Sequence, residues 1–285
     1  MQATHNFSGP GVIQIPYDSG RKEFRMGNGP AHIAKQLASW RLSSDSISVE
    51  ERPFELGTTF RILRAVSDKV KQCVSDNRLP IVLAGGCLNT LGSLSGIGPE
   101  PTALIWFDAH GDFNTPETTP SGFIDGMAIA AIAGRCWHKL TASVPGFRPV
   151  REKYVVLIGA RDLDPEERTS LEQSEITWLT VEAIRKNGLE SDLAKILPGL
   201  PERVYFHIDL DVLDRAEAYV NEYSSPGGLS VSELLQCIHF IGHNRAIVGA
   251  SITSYDPSVD HDSKALRAGV AVVKELLAAA CIDVG

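Results

Sequence analysis

The run Ala103-Leu104-Ile105-Trp106-Phe107-Asp108-Ala109-His110-Gly111-Asp112 decides how this chain folds. Five consecutive apolar residues predict a strand buried on both faces, and such strands belong to parallel sheets covered by helices on either side. The polar residues that follow mark its end. Continued strand alternation would turn Asp108, His110 and Asp112 to one side, so that two carboxylates and an imidazole share one point in space.

Working outward, the same pattern recurs. Short apolar runs stand at Val12-Ile13-Gln14-Ile15, Ile47-Ser48-Val49, Ile81-Val82-Leu83-Ala84, residues 154–159, residues 204–208 and residues 246–252. Helix-like amphipathic stretches lie between or beside them, at 30–40, 58–76, 165–173, 181–186, 230–240 and 263–280. Alternation of this kind predicts an α/β fold of three layers, α-β-α, with a mostly parallel central sheet. No Pro/Ser-rich linker, charge block or internal repeat interrupts it, so a single domain over 1–285 is expected.

The strand at 204–208 runs into Asp209-Leu210-Asp211, with Asp214 three residues on. Sites in wound α/β sheets lie beyond the carboxyl ends of strands, so the two acidic clusters are expected to face one another. A lone Asp-x-Asp after a strand is usually a turn. Two such clusters in one chain point instead to a hard divalent ion, Mn²⁺ before zinc, and to one or two ions per chain. Carboxylates bridging two ions would activate a water between them.

Composition narrows the field. The chain has 285 residues, 43% hydrophobic and 22% charged, with a formal net charge of -8, which excludes intrinsic disorder. No Lys/Arg block offers an electrostatic footprint for nucleic acid or an anionic membrane. Met1 to Asn6 lack the basic and apolar regions of a signal peptide, and no stretch reaches 18 apolar residues, so a cytoplasmic protein is expected. Five cysteines without a Cys-x-x-Cys pair fit neither a disulfide framework nor a zinc knuckle.

Asp108 to Thr119, followed by Ser121-Gly122, resembles the signature of the ureohydrolase superfamily of arginases and agmatinases. Pro16-Tyr17-Asp18-Ser19-Gly20, Gly27-Asn28-Gly29-Pro30, the 159–165 stretch, His207 to Asp214 and Ser225 to Ser230 resemble further motifs of that family. The resemblance implies an arginase-like three-layer fold, a binuclear manganese site and hydrolysis of a guanidino or amidino C–N bond by metal-bound hydroxide. It makes Asp108 and Asp209 bridging carboxylates, His110 and Asp211 ligands of one ion, and Asp112 a ligand of the other. It places Asn114 and Ser121 at a substrate α-carboxylate, and Asp164 and Glu167 at its amino or guanidinium end. Trimers or hexamers are common in the family, so a homo-oligomer is expected.

Three departures set this chain apart. The family's Gly-Gly-Asp-His-Ser segment reads Gly85-Gly86-Cys87-Leu88-Asn89 and lacks the ligand histidine. Alignment from Gly92 backwards puts Cys87 in its place, and alignment from Gly86 forwards puts Leu88 there. Asp125 stands where the arginase proton-shuttle histidine would be, which makes Asp125, with His110, the candidate catalytic pair. Ser254-Tyr255-Asp256-Pro257 replaces the motif whose glutamate pairs with the guanidinium, leaving Asp256 or Glu167 as substitutes. These changes are similar to those of a divergent branch that hydrolyses Nω-hydroxy-arginine, a weaker base than arginine. The leading expectation is therefore an amidinohydrolase with a small arginine-like substrate. The alternatives are a catalytically silent arginase-fold binding or assembly protein, and a hydrolase of a formimino or amide substrate. His207 is read as a core or hydrogen-bonded residue beside Asp209.

Overall fold

The computed structural model describes residues 7–40 and 42–282; the stretch Met1 to Asn6 read for a leader lies outside the described residues. Eight strands form one sheet: β1 (Gly9–Ile15), β2 (Ser44–Ser46), β3 (Arg78–Ala84), β4 (Thr102–Phe107), β5 (Val155–Ile158), β6 (Thr177–Leu179), β7 (Arg203–Asp209) and β8 (Ala246–Thr253). Their order is β2-β1-β3-β8-β7-β4-β5-β6. Every neighbouring pair is parallel. A two-stranded ribbon, Tyr17–Asp18 with Arg21–Lys22, stands apart from the sheet.

Alternate strand residues feed two cores. One face turns Leu79, Ile81, Ile105, Phe107, Phe206 and Ile252 against the helices Gly29–Leu37, Val231–Asn244 and Lys264–Ala279. The other turns Val82, Leu104, Trp106, Leu157 and Tyr205 against the helices Glu55–Ser75, Asn89–Gly96 and Ala128–Ile132. Each fully buried aliphatic or aromatic side chain here contributes about 1.5–3 kcal/mol to folding. The three layers expected from the apolar runs are present.

Differences from the sequence reading fall at the margins. The strand expected at 47–49 lies instead at Ser44–Ser46, and beyond one backbone bond from Ile47 N–H to the Gln14 carbonyl the apolar run leaves the sheet, with Ile47 inserted into the core. The strand β6 and the helices Asn89–Gly96 and Leu189–Ile196 were not anticipated. No helix among the described residues is long and apolar enough to cross a membrane.

The four central strands β3, β8, β7 and β4 are neighbours, and all point their carboxyl ends the same way. Cys87 follows β3, Ser254 follows β8, Asp209 ends β7 and Asp108 follows β4. The topology therefore delivers four separate pieces of sequence to one point above the sheet.

Candidate metal centre

The eleven candidate site residues line one cavity of about 290 Å³: Cys87, Asp108, His110, Asp112, Asn114, Ser121, Asp125, Asp164, Glu167, Asp209 and Asp211; Leu88, His207, Asp214 and Asp256 do not line it. What brings the acidic groups together differs from simple strand alternation. Asp108 Oδ1 accepts the His110 backbone N–H at 2.8 Å, and Asp209 Oδ1 accepts that of Asp211 at 2.9 Å. Each carboxylate thus caps its own turn two residues on, an Asx-type arrangement repeated at two neighbouring strand ends. The two loops then join, because Ala109 N–H donates to Asp211 Oδ1 at 3.2 Å.

The carboxylates crowd. Asp108 Oδ2 accepts the Trp106 indole N–H at 3.0 Å, and His110 Nδ1 lies 3.2 Å from Asp108 Oδ1 and 3.5 Å from Asp211 Oδ2. Asp209 Oδ2 accepts from the Cys87 thiol at 3.0 Å, from the Thr253 hydroxyl at 3.3 Å and from the Ser254 hydroxyl. Asp112 is buried and adopts a left-handed φ of 48°, and its Oδ2 meets no hydrogen-bond partner among the described residues. Cys87, not Leu88, faces this cluster; Leu88 turns into the core and gives only its backbone N–H, to Asp125 Oδ1 at 2.9 Å.

Burial raises the pKa of these acids, to about 7 for Asp209 and about 6 for Asp211, with Asp211 adding to the effect at Asp209. Asp108 and Asp112 are raised for the same reason, Asp108 with help from Asp209, and Asp112 with help from Asp108 and Asp209. Burial would lower His110, but Asp211 and Asp108 outweigh it and lift the imidazole to about 10. Burial pushes the Cys87 thiol well up, and the surrounding aspartates add to the push. Burial also holds His207 well below its ordinary value, so its ring is neutral. Four buried aspartates around one imidazolium would carry more negative than positive charge when ionised, and burying such charges uncompensated is costly. Divalent cations would supply that balance. Two tight donor groups are present, Asp108 with His110 and Asp211, and Cys87 with Asp108, His207 and Asp209, with donor atoms within 4.8 Å in each.

Asp125 stands at the cavity edge, buried and raised to about 7 by its desolvation. Gly86 makes room for it: a Cβ there would meet Asp125 Oδ2 at 2.4 Å. On the opposite wall Asn114 donates to Asp164 Oδ2 at 2.9 Å, and Glu167 accepts the backbone N–H of Phe113 at 2.9 Å and of Asp164 at 3.3 Å. Ser121 is exposed at the mouth. Asp256 and Asp214 are turn residues, accepting from Ser258 and from Ala216 and Gly227.

Several cavity residues went unnoticed in the sequence. Asn221 donates to the Ser254 carbonyl at 2.8 Å and reaches Asp211 Oδ2 at 3.4 Å. Tyr223 stacks on Phe123 at 5.7 Å and takes a hydrogen bond from Arg25 at 3.2 Å. Both lie in an irregular loop, where no periodicity or spacing marks them.

An eight-stranded parallel α/β sheet carrying a buried carboxylate and imidazole cluster at its central strand ends defines a ureohydrolase-type, metal-competent protein. The Arginase family model matches residues 9–279, and the chain belongs to that family. It is 30% identical to the arginase of Bacillus caldovelox, over 93% of this chain and 96% of that protein. The arginase of Bacillus subtilis is 28% identical over the same share of each chain. The crystal structure of arginase from Bacillus cereus superposes with a TM-score of 0.84 at 27% identity, covering 94% of this chain and 98% of that one.

Proposed function

We propose that the protein is a metal-dependent amidinohydrolase that cleaves a guanidino or amidino C–N bond of a small arginine-like substrate, with Nω-hydroxy-arginine the favoured form. The observation that carries the reading is the convergence of Asp108, His110, Asp112, Asp209 and Asp211 on one cavity, with a buried carboxylate oxygen at Asp112 that has no hydrogen-bond partner among the described residues. Ions held there, Mn²⁺ foremost, supply Lewis-acid activation of water and substrate.

The chain's own groups do the rest. Asp108 and Asp209 would be the shared ligands, His110 and Asp211 would hold one position, and Asp112 with Cys87 would hold the other. Asp125, with a pKa near 7, takes or returns a proton at the cleaved nitrogen. Asn114 and Ser121 receive the substrate carboxylate, and Asp164 receives its ammonium, while Glu167 keeps the Asp108–Asp112 loop in register through its two backbone contacts.

The preference for an N-hydroxylated guanidine rests on Ser254. Its hydroxyl bonds to Asp209, so this end of the cavity offers no additional carboxylate to a strongly basic headgroup. The test is hydrolysis of a panel of arginine, Nω-hydroxy-arginine, agmatine, a formimino compound and a simple amide by Mn²⁺-loaded protein, with metal counted per chain. Turnover of Nω-hydroxy-arginine well above arginine supports the reading. Comparable turnover of the two removes the substrate preference, and bound metal with no amidine cleaved removes the activity.

A further inference from the structure

The histidine that this chain lacks after β3 has a counterpart on a different strand. We propose that His207 and Cys87 jointly hold a metal ion with Asp108 and Asp209, forming a thiolate, imidazole and dicarboxylate position that selects a borderline ion such as Zn²⁺ or Co²⁺. This rests on the metal-dependent reading of the same cavity and changes what one half of it binds. The neighbouring position of Asp108, His110 and Asp211 keeps mostly oxygen donors and suits Mn²⁺.

Geometry supports the assignment. The donor atoms of Cys87, Asp108, His207 and Asp209 lie within 4.8 Å of one another, and all four residues are buried. Metal–sulfur and metal–nitrogen or oxygen bonds of about 2.3 and 2.0–2.1 Å give a tetrahedron with edges of roughly 3.3–3.5 Å. Closing the group around an ion therefore shortens the widest separation by roughly 1.5 Å at most, shared between two donors. The Cys87 to Asp209 edge already measures 3.0 Å.

His207 is held as a ligand needs to be held. It sits two residues before Asp209 on β7 and opposite Trp106 on β4, and the two rings stack at 3.4 Å. Its Nδ1 lies 2.7 Å from Thr90 Oγ1. With that hydroxyl accepting, Nε2 presents its lone pair toward the cluster, where its nearest hydrogen-bonding contact is a long 3.4 Å one to Thr253. Metal-bound histidines characteristically pass their other ring N–H to such an oxygen. The same indole that stacks on His207 fixes Asp108 through its N–H, so one side chain orients two of the four donors. Asp112 Oδ2, buried in the same cavity without a hydrogen-bond partner among the described residues, stands as an independent sign that a cation belongs here. Soft donors at one position and hard donors at the other predict a mixed-metal centre.

The experiment is spectroscopic and needs no substrate. Metal-free protein is titrated with Co²⁺, following the near-ultraviolet thiolate-to-cobalt charge-transfer band. The band is expected to saturate at one equivalent, to vanish in Cys87→Ser, and to need at least tenfold more Co²⁺ in His207→Gln. X-ray absorption at the zinc edge, on wild type with one equivalent of Zn²⁺, is expected to show one sulfur and one imidazole on the same ion. Absence of the band, an unchanged titration in His207→Gln, or sulfur without imidazole at the zinc edge overturns the proposal. The zinc measurement decides the matter should His207→Gln fail to fold. Band and scatterers present with no amidine hydrolysed leave this site standing and sink the hydrolase reading; hydrolysis with Mn²⁺ and no band does the reverse.

Discussion

Asp112 combines a left-handed backbone with a buried carboxylate oxygen that meets no hydrogen-bond partner among the described residues, a costly arrangement placed on the wall of the acidic cavity. Asp125 differs: its Oδ1 is satisfied by Leu88 N–H, and what distinguishes it is a proton held to about pH 7. Asn at position 125 keeps an oxygen for Leu88 but cannot titrate. Asp125→Asn is therefore expected to lower kcat by about 10²- to 10⁴-fold while KM and bound metal change little, as removal of a general acid or base does. An equal loss of metal would show that Asp125 supports the ions instead. Asp112→Asn is expected to do the opposite. Elemental analysis should find less than one equivalent at the affected position, because a carboxylate charge is lost where nothing replaces it.

At the scale of elements, the cluster depends on loops that are themselves tied down. The Arg161 guanidinium donates to the carbonyls of Gly159, Asp211, Val212, Leu213, Ser225 and Pro226 at 2.9–3.3 Å, binding the turn after β7 to the Ser225–Pro226 loop. Lysine has three donors on one nitrogen and cannot span that set. Arg161→Lys is expected to destabilise the protein by about 2–3 kcal/mol, measured by urea unfolding, and to weaken metal binding with it. On the neighbouring loop, Glu167 caps its own helix with Asp164 and holds Phe113. Glu167→Ala leaves two N–H groups without acceptors, an expected loss of about 2 kcal/mol or more, whereas Glu167→Gln retains one acceptor and should lose about half as much. The same contrast explains what could be read in advance. Strands β3, β4, β7 and β8 are legible because burial on both faces writes continuous apolar runs, and the aspartates at the ends of β4 and β7 stand at recognisable spacing. A three-residue edge strand such as β6 leaves no pattern to count. The choice between Cys87 and Leu88 turns on a single-residue shift that spacing alone cannot settle, and Leu88 settles it by packing among apolar side chains. Tyr223 and Asn221 reach the cavity from a loop whose composition resembles any solvated turn.

At the scale of the molecule, both cores are built on one continuous sheet, and we propose that residues 1–285 form a single domain with the cluster at its centre. A domain of this kind carries its buried acids as a liability whenever ions are absent. Unfolded carboxyls release their protons near pH 4, whereas Asp211, Asp209 and Asp125 hold theirs to about 6, 7 and 7. Between those limits the folded state binds more protons than the unfolded one, so stability falls as pH rises through the window and the full penalty is present above pH 7. His110, raised to about 10, is charged in both states below pH 6.5, where its stabilisation is fully present and independent of pH; that stabilisation is lost as pH rises from 6.5 through 10. One pKa unit is worth about 1.4 kcal/mol and 1 kcal/mol moves the midpoint of a chain this size by about 2 °C, so even one unit shared among three acids costs roughly 3 °C. The thermal midpoint of metal-free protein is thus expected to drop by at least that much between pH 5 and pH 7.5. Excess Mn²⁺ should restore it, with a larger gain at pH 7.5, where the carboxylates are ionised and metal ions replace protons as their counter-charge. Differential scanning fluorimetry at the two pH values, with and without the ion, reads both effects. A metal-free midpoint that stays level or climbs across that range would show the acids to be compensated from within the protein, and the cavity would lose its claim to hold ions.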